Sequence, residues 1–201
     1  MSIQSDVKVG FIADENVADP DRLVVAARPN TSATMAETTF LGGGARNVTV
    51  TTTGTSDNAK TCTITGTDVF GNAITEVIVS TGSAEAVAGA KLFLTVSAVE
   101  CSAQYAANIT VGSGSLCASA VSGGNRTRMK GYSIVSAGTA GLVDFYNGTP
   151  EDGTIIFKAQ TLGTDNTTID NTIPDEGILF DSGLAISYTV ATVVLANIFF
   201  A

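Results

Sequence analysis

The sequence predicts an all-β fold in which two small antiparallel sandwich units follow an extended N-terminal arm. The 201 residues include 28 threonines and 21 glycines, and valine and isoleucine are frequent while leucine, glutamate and lysine are sparse. Threonine, valine and isoleucine favour pleated, half-buried surfaces, and glycine supplies turns. No long segment repeats its apolar residues at the 3.6-residue spacing that is typical of helices.

Residues 1–30 are predicted to form the arm. The acidic, proline-containing run Asp14–Arg22 is aperiodic and separates two short apolar runs, Val9–Ala13 and Leu23–Ala27. Each apolar run is long enough to add one strand to the edge of another sheet. The acidic run favours a solvated loop over a calcium site, because its spacing matches no EF-hand loop.

Residues 31–115 are predicted to form an Ig-like β-sandwich domain. The segment KTCTITGTD alternates, with Cys62 and Ile64 on one face and threonines on the other. A turn at Gly71-Asn72 and a second alternating run, Ala73–Gly82, complete the signature of a hairpin. Further short strands follow without intervening helices, which is typical of an antiparallel sandwich.

Residues 116–130 are predicted to be a linker, because the segment is mostly small and rich in glycine and serine. Residues 131–201 read as about seven short apolar segments separated by turn residues, and they are predicted to form a second, jelly-roll-like β-sandwich. The uncharged run Leu184–Ala201 has the length of a membrane span. It is rich in β-branched residues and lacks basic flanks, so two buried strands meeting near Ala191 are favoured.

Composition narrows the functional classes. The chain has no histidine, which excludes hydrolysis by a His-based dyad or triad and any His-ligated metal site. The formal net charge is −9, and an acidic chain is a poor general binder of nucleic acid. Five carboxylates form the most plausible catalytic set, although turn and surface roles are favoured and a hard-ion site is the alternative. They are Asp165, Asp170, Asp175, Glu176 and Asp181.

The cysteines Cys62, Cys101 and Cys117 are odd in number and form no CxxC motif. The N-terminal residues do not resemble a secretory signal peptide. We therefore expect synthesis in a reducing cytoplasm and buried thiols, with pairing of Cys62 and Cys101 as the alternative.

The sharpest candidate site is the basic cluster Arg126, Arg128 and Lys130, which holds three of the ten basic residues. We predict that it docks an acidic surface of a partner, with a solvated strand entry as the alternative. The net charge is distributed unevenly between the two parts of the chain. Residues 131–201 carry one base and eight acids, a net −7, against −2 for residues 1–130. We therefore expect the acidic unit to face solvent and the N-terminal half, including the arm, to dock.

Two stretches resemble virion proteins of tailed bacteriophages. TCTITGTDVFGNAITEVIVSTG, followed by KLFLTVSAVECS and NITVGSG, resembles a recurring module of these proteins. GYSIVSAGTAGLVDFYNGTPEDGTIIF, followed by IPDEGILFDSGLAISY, resembles a small β-sandwich unit of virion proteins from marine and freshwater phages. Together the two stretches cover roughly residues 46–190.

The resemblance implies a capsid decoration (cement) protein that binds the major capsid protein on the outside of the head shell and stabilises the shell. It implies synthesis in the cytoplasm of the bacterial host, a homotrimer at a local symmetry axis, and neither catalytic activity nor a cofactor. Partners among nucleic acids or membranes are not expected. The uncharged C-terminal run independently favours a symmetric oligomer that covers apolar surface. The alternatives are a tail, head–tail connector or fibre component, and a carbohydrate- or cell-surface-binding β module.

Overall fold

A computed structural model describes residues 7–13, 17–82 and 84–201, and these contain fifteen strands and two 3₁₀ turns. The all-β prediction is confirmed. The first six residues of the predicted arm and residues 14–16 of the acidic run lie outside the described residues. In chain order the strands are β1 Lys8–Ala13, β2 Val24–Ala27, β3 Ala45–Thr52, β4 Thr61–Thr67, β5 Ala73–Val79, β6 Ala86–Phe93, β7 Thr95–Cys101, β8 Ile109–Ser122, β9 Thr127–Ser136, β10 Leu142–Asn147, β11 Thr154–Gln160, β12 Thr168–Thr172, β13 Ile178–Phe180, β14 Leu184–Thr189 and β15 Val193–Phe200.

The chain divides into two compact units, and the division falls inside β8, after Cys117. Described residues 17–117 form the central unit. The terminal unit combines β1 with residues 118–201. The predicted arm is therefore not a separate element, because β1 pairs with β15 in the terminal unit and β2 pairs with β8 in the central unit.

The predicted linker at residues 116–130 is wrong. Strand β8 continues to Ser122 and β9 begins at Thr127, so only a short turn lies between them. Earlier in β8, a small residue allows close packing against the neighbouring strand β3. A Cβ atom on Gly114, for example, would lie 2.4 Å from Oδ1 of the buried Asn47 side chain. That side chain accepts a hydrogen bond from the backbone N–H of Leu116 at 3.0 Å.

The predicted hairpin of the central unit is confirmed. Strands β4 and β5 pair antiparallel over their whole length, and β4 also pairs with β7 in a three-stranded sheet. Between β4 and β5, Oδ1 of Asp68 accepts hydrogen bonds from the backbone N–H groups of Phe70 and Asn72. Gly71 has a φ of 85°, a left-handed conformation that favours glycine. Local side-chain capping therefore closes this turn.

The core of the central unit is one cluster that joins residues of the three-stranded sheet to residues of β2, β3 and β8. Cys62 and Ile64 point into it from β4, as the alternation predicts. Its other fully buried members include Leu23, Val48, Phe93, Tyr105, Ile109 and Val111.

The terminal unit contains a sheet with the strand order β1-β15-β9-β12, to which β13 adds by pairing with β9. Strands β11, β10 and β14 are neighbours in a second group. The aromatic rings of Tyr132, Phe145 and Phe157 pack together with centroids 5.4–5.9 Å apart. Residues from Leu184 onward form β14, a 3₁₀ turn at Val190–Thr192 and β15, so the prediction of two strands meeting near Ala191 is confirmed. The finer Ig-like and jelly-roll-like assignments stay predictions.

Candidate functional site

An apolar patch covers the outer side of β1 and β15 in the terminal unit. In the antiparallel register Val9 lies opposite Phe199 and Phe11 lies opposite Asn197, so these side chains share one face of the sheet. Val9 is 55% exposed and Phe11 is 68% exposed, while Leu195 and Phe199 are half-buried beside them. We call Val9, Phe11, Leu195 and Phe199 the β1 face.

The opposite side of β1 explains why this face stays outside. Ile12 is buried, and a Cβ atom on Gly10 would lie 2.8 Å from Cγ1 of Val121. Because side chains alternate along a strand, the burial of Ile12 and the close approach of Gly10 to Val121 on one side direct Val9 and Phe11 to solvent on the other. The chain therefore holds the apolar outer residues in a fixed, exposed array.

Strand β1 is also the end of its sheet in the described part of the chain. An end strand presents unpaired backbone N–H and C=O groups along its free edge. An apolar face beside such an edge can bind another chain both by side-chain burial and by backbone pairing. Farther across the sheet the same side becomes polar, with Ser133 on β9 opposite Asp170 on β12.

The structure brings the basic cluster together with acidic residues of the same unit. Arg126 lies 3.4 Å from an oxygen of Asp181, and Arg128 lies 3.7 Å from an oxygen of Glu176. The Arg126 and Asp181 side chains are 63% and 65% exposed, so this ion pair is worth only ~0–1 kcal/mol.

Lys130 completes the cluster from the next outward position of β9. Its ammonium group donates to the backbone carbonyls of Asp175 at 3.2 Å and Glu176 at 3.0 Å. Asp175 has a φ of 55°, a left-handed conformation in the turn before Gly177. Arg128 and Lys130 thus hold the acidic turn before β13, and Arg126 contacts the next turn at Asp181. Docking of a partner by the three basic residues stays a prediction.

The remaining predicted carboxylates do not converge. Asp170 lies on β12. Asp165 lies beside Gly138, where a Cβ atom placed on the glycine would be 3.2 Å from Oδ1 of the aspartate. Within the described ranges, no group of three or more Cys, Asp or Glu side chains is arranged to hold a metal ion.

A buried sulfur–phenol cluster lies at one end of the three-stranded sheet of the central unit. Sγ of Cys62 lies 3.7 Å from Sγ of Cys101 and 3.3 Å from the hydroxyl oxygen of Tyr105. Hydrogen bonding with Cys101, and then with Tyr105, lowers the pKa of the Cys62 thiol against the opposing effect of burial. The same hydrogen bond raises the pKa of Cys101, because it keeps the proton on that sulfur.

A buried carboxylate fixes the loops beside this cluster. The Asp57 side chain is fully buried and receives hydrogen bonds from Nζ of Lys60 at 2.7 Å and from the backbone N–H of Ala106 at 2.6 Å. The backbone N–H of Ala107 and the hydroxyl of Thr52 donate to its other oxygen. Burial alone would raise the pKa of Asp57, but these donors together lower it to about 2.

Sequence reasoning missed the Asp57 network. Asp57 and Lys60 are only three residues apart in a polar stretch, and their backbone partners Ala106 and Ala107 lie almost fifty residues later. No local pattern marks such a contact. The apolar run of β1 was visible as a candidate interaction strand, but its pairing with β15 was not.

Comparison of the chain with protein-family models, with curated proteins and with known structures gave no match in any of the three cases. In the part of the chain that the structure describes, no helix has the length and apolar character needed to cross a membrane.

Proposed function

We propose that the chain is a structural protein of a tailed-bacteriophage virion, a decoration protein that binds the outside of the head shell as a homotrimer and contacts the major capsid protein. The observation that carries the proposal is the β1 face, an exposed apolar surface at a free sheet edge in a chain of net charge −9. Such a surface is typical of a protein that functions by assembly.

The energetics of the β1 face favour association. Full burial of one large apolar side chain contributes ~1.5–3 kcal/mol, and Phe11 and Val9 both begin more than half exposed. In a trimer each copy can contribute its own face, so the gain is repeated at every interface. The stretches that resemble virion proteins fall on strands β4 to β11, β13 and β14, and these strands supply the β modules for such an assembly.

The oligomeric state tests the first half of the proposal. Light scattering at micromolar concentration should give about three times the 20.4 kDa chain mass. Replacing Phe11→Ser should shift the population to monomer, because it removes the most exposed large apolar side chain of β1. Leu162→Ser is the matched control, since Leu162 is 62% exposed in the same unit but lies outside the β1 face. A monomeric wild-type protein would contradict an intrinsic trimer.

Cryo-electron microscopy of the virion tests the location. Density for the fold in many copies over the head shell is the expected result. Density in a few copies at the tail, connector or fibres would replace the decoration role by one of those alternatives. If the virion lacks the chain and the purified protein binds a glycan array, the chain is better explained as a carbohydrate-binding module.

A further inference from the structure

Cys62 and Cys101 face each other directly across two antiparallel strands, β4 and β7. Next to them, the backbone N–H of Ser102 donates to the carbonyl of Thr61 on β4. The N–H of Cys101 instead points away from β4 and donates to the carbonyl of Thr31. The two cysteines therefore occupy a non-hydrogen-bonded pair, the position at which opposite side chains come closest.

This position suits a covalent link between the sulfurs. In non-hydrogen-bonded pairs the Cα atoms lie about 4.5 Å apart, inside the range of about 4.4–6.8 Å found for disulfides. The sulfurs of Cys62 and Cys101 are already 3.7 Å apart on the same face of the sheet. Small changes in the two side-chain torsions can bring them to bonding distance without moving the backbone.

We propose that Cys62 and Cys101 are an oxidation site, at which a peroxide converts the two thiols into one intramolecular disulfide. The thiolate of one cysteine attacks the peroxide, its sulfur becomes a sulfenic acid, and the O–O bond breaks with release of hydroxide. The sulfur of the second cysteine then attacks the sulfenic sulfur. The S–S bond forms, the S–O bond breaks, and the oxygen leaves as water with the thiol proton.

The net reaction oxidises two thiols by two electrons and reduces one hydrogen peroxide to two waters. The reaction is reversible, since a dithiol can reduce the disulfide by exchange. This site does not depend on the proposed function.

Access of the peroxide to the two sulfurs limits the rate of disulfide formation. Cys62 is fully buried and Cys101, the last residue of β7, is 8% exposed. The loop after Tyr105, which contacts Cys62, is fixed because the backbone N–H groups of Ala106 and Ala107 donate to the Asp57 carboxylate. Reaction therefore requires local opening at this end of the sheet, and we expect Asp57→Asn to accelerate disulfide formation several-fold.

The test uses the full chain carrying Cys117→Ser, because Cys117 shares a tryptic peptide with Cys101. The protein is treated with hydrogen peroxide, unfolded, and alkylated with iodoacetamide. Intact mass spectrometry should show the loss of two hydrogen atoms and no alkylation. Trypsin should then release the peptides Thr61–Lys91 and Leu92–Arg126 joined together. In the same background, Cys62→Ser and Cys101→Ser should each abolish the joined peptide.

The melting temperature provides a second readout. The oxidised protein should melt several degrees above the reduced protein, because the link closes a long loop in the unfolded chain, and dithiothreitol should reverse the shift. If Cys117→Ser does not fold, chymotrypsin cleavage after Tyr105 separates the peptides of Cys101 and Cys117 in the wild-type protein.

Two results would overturn the proposal. One is the accumulation of sulfinic acid on Cys62 or Cys101, with no joined peptide even in Asp57→Asn. The other is a disulfide that forms but lowers the melting temperature, since this would show that the folded sheet does not accommodate the link.

Discussion

Replacing Asp57 by asparagine should destabilise the central unit at neutral pH and remove part of its acid sensitivity. The carboxylate is fully buried and accepts hydrogen bonds from Lys60, Ala106, Ala107 and Thr52. The fall of its pKa from 3.8 to about 2 corresponds to ~2–3 kcal/mol of folding free energy at neutral pH. Asparagine also leaves the Lys60 ammonium without its charged partner. We therefore expect a loss of ~2–4 kcal/mol.

The pH window follows from the lowered pKa of Asp57. Its contribution is complete well above the unfolded-state value of 3.8 and is lost as the pH falls through about 2. The free-energy gap between wild type and Asp57→Asn should therefore be largest near pH 7 and should narrow between pH 4 and pH 2.

Urea unfolding at several pH values measures this gap. Hydrogen exchange of residues 102–108 assigns the transition to the central unit, because Asp57 holds that loop. Asp21→Asn is the control, since Asp21 is an exposed carboxylate of the same unit and should change the stability by less than about 0.5 kcal/mol. A loss below about 1 kcal/mol at pH 7, or a gap that does not narrow in acid, would refute the reasoning.

Two further substitutions test packing in the two units. Gly89→Ala would place a Cβ atom 2.3 Å from Oε2 of Glu76 and displace the carboxylate that accepts from two backbone N–H groups of β6. Urea unfolding should show a cost of ~1–2 kcal/mol that largely disappears in a Glu76→Ala background, whereas Gly123→Ala should cost little because no atom lies within 4 Å. Phe145→Ala should cost ~3–5 kcal/mol in the terminal unit, since Phe145 is fully buried against Phe157. Leu162→Ala is the control, since it removes an exposed side chain of the same unit outside the β1 face. A cost of Phe145→Ala no larger than that of Leu162→Ala would show that the aromatic cluster does not stabilise the unit.

Local patterns predicted the strands well because alternation and turn chemistry act between near neighbours. The β4–β5 hairpin and the two strands after Leu184 follow this rule. Local alternation does not show where one strand stops and the next starts: the structure divides the segment KLFLTVSAVECS between the end of β6 and all of β7. The break occurs at Leu94, whose backbone N–H donates to the carbonyl of Thr67.

The domain boundaries depended on pairing that no local pattern records. Strands β1 and β15 pair although almost the whole chain separates them. Likewise, the basic cluster was visible as a run of charges, while its partners Glu176 and Asp181 lie about fifty residues later. The sequence separation between contacting residues therefore marks the limit of prediction for both the fold and the site.

The pairing of β1 with β15 also orders events during synthesis. The ribosome makes β1 before the central unit and β15 after nearly everything else, so the terminal sheet cannot close until the last strand emerges. The central unit can fold meanwhile, since its strands are complete much earlier. A nascent or truncated chain without β15 leaves β1 and the apolar side chain of Phe11 without their neighbouring strand. Such chains would be substrates for chaperones and proteases, so quality control would favour full-length copies.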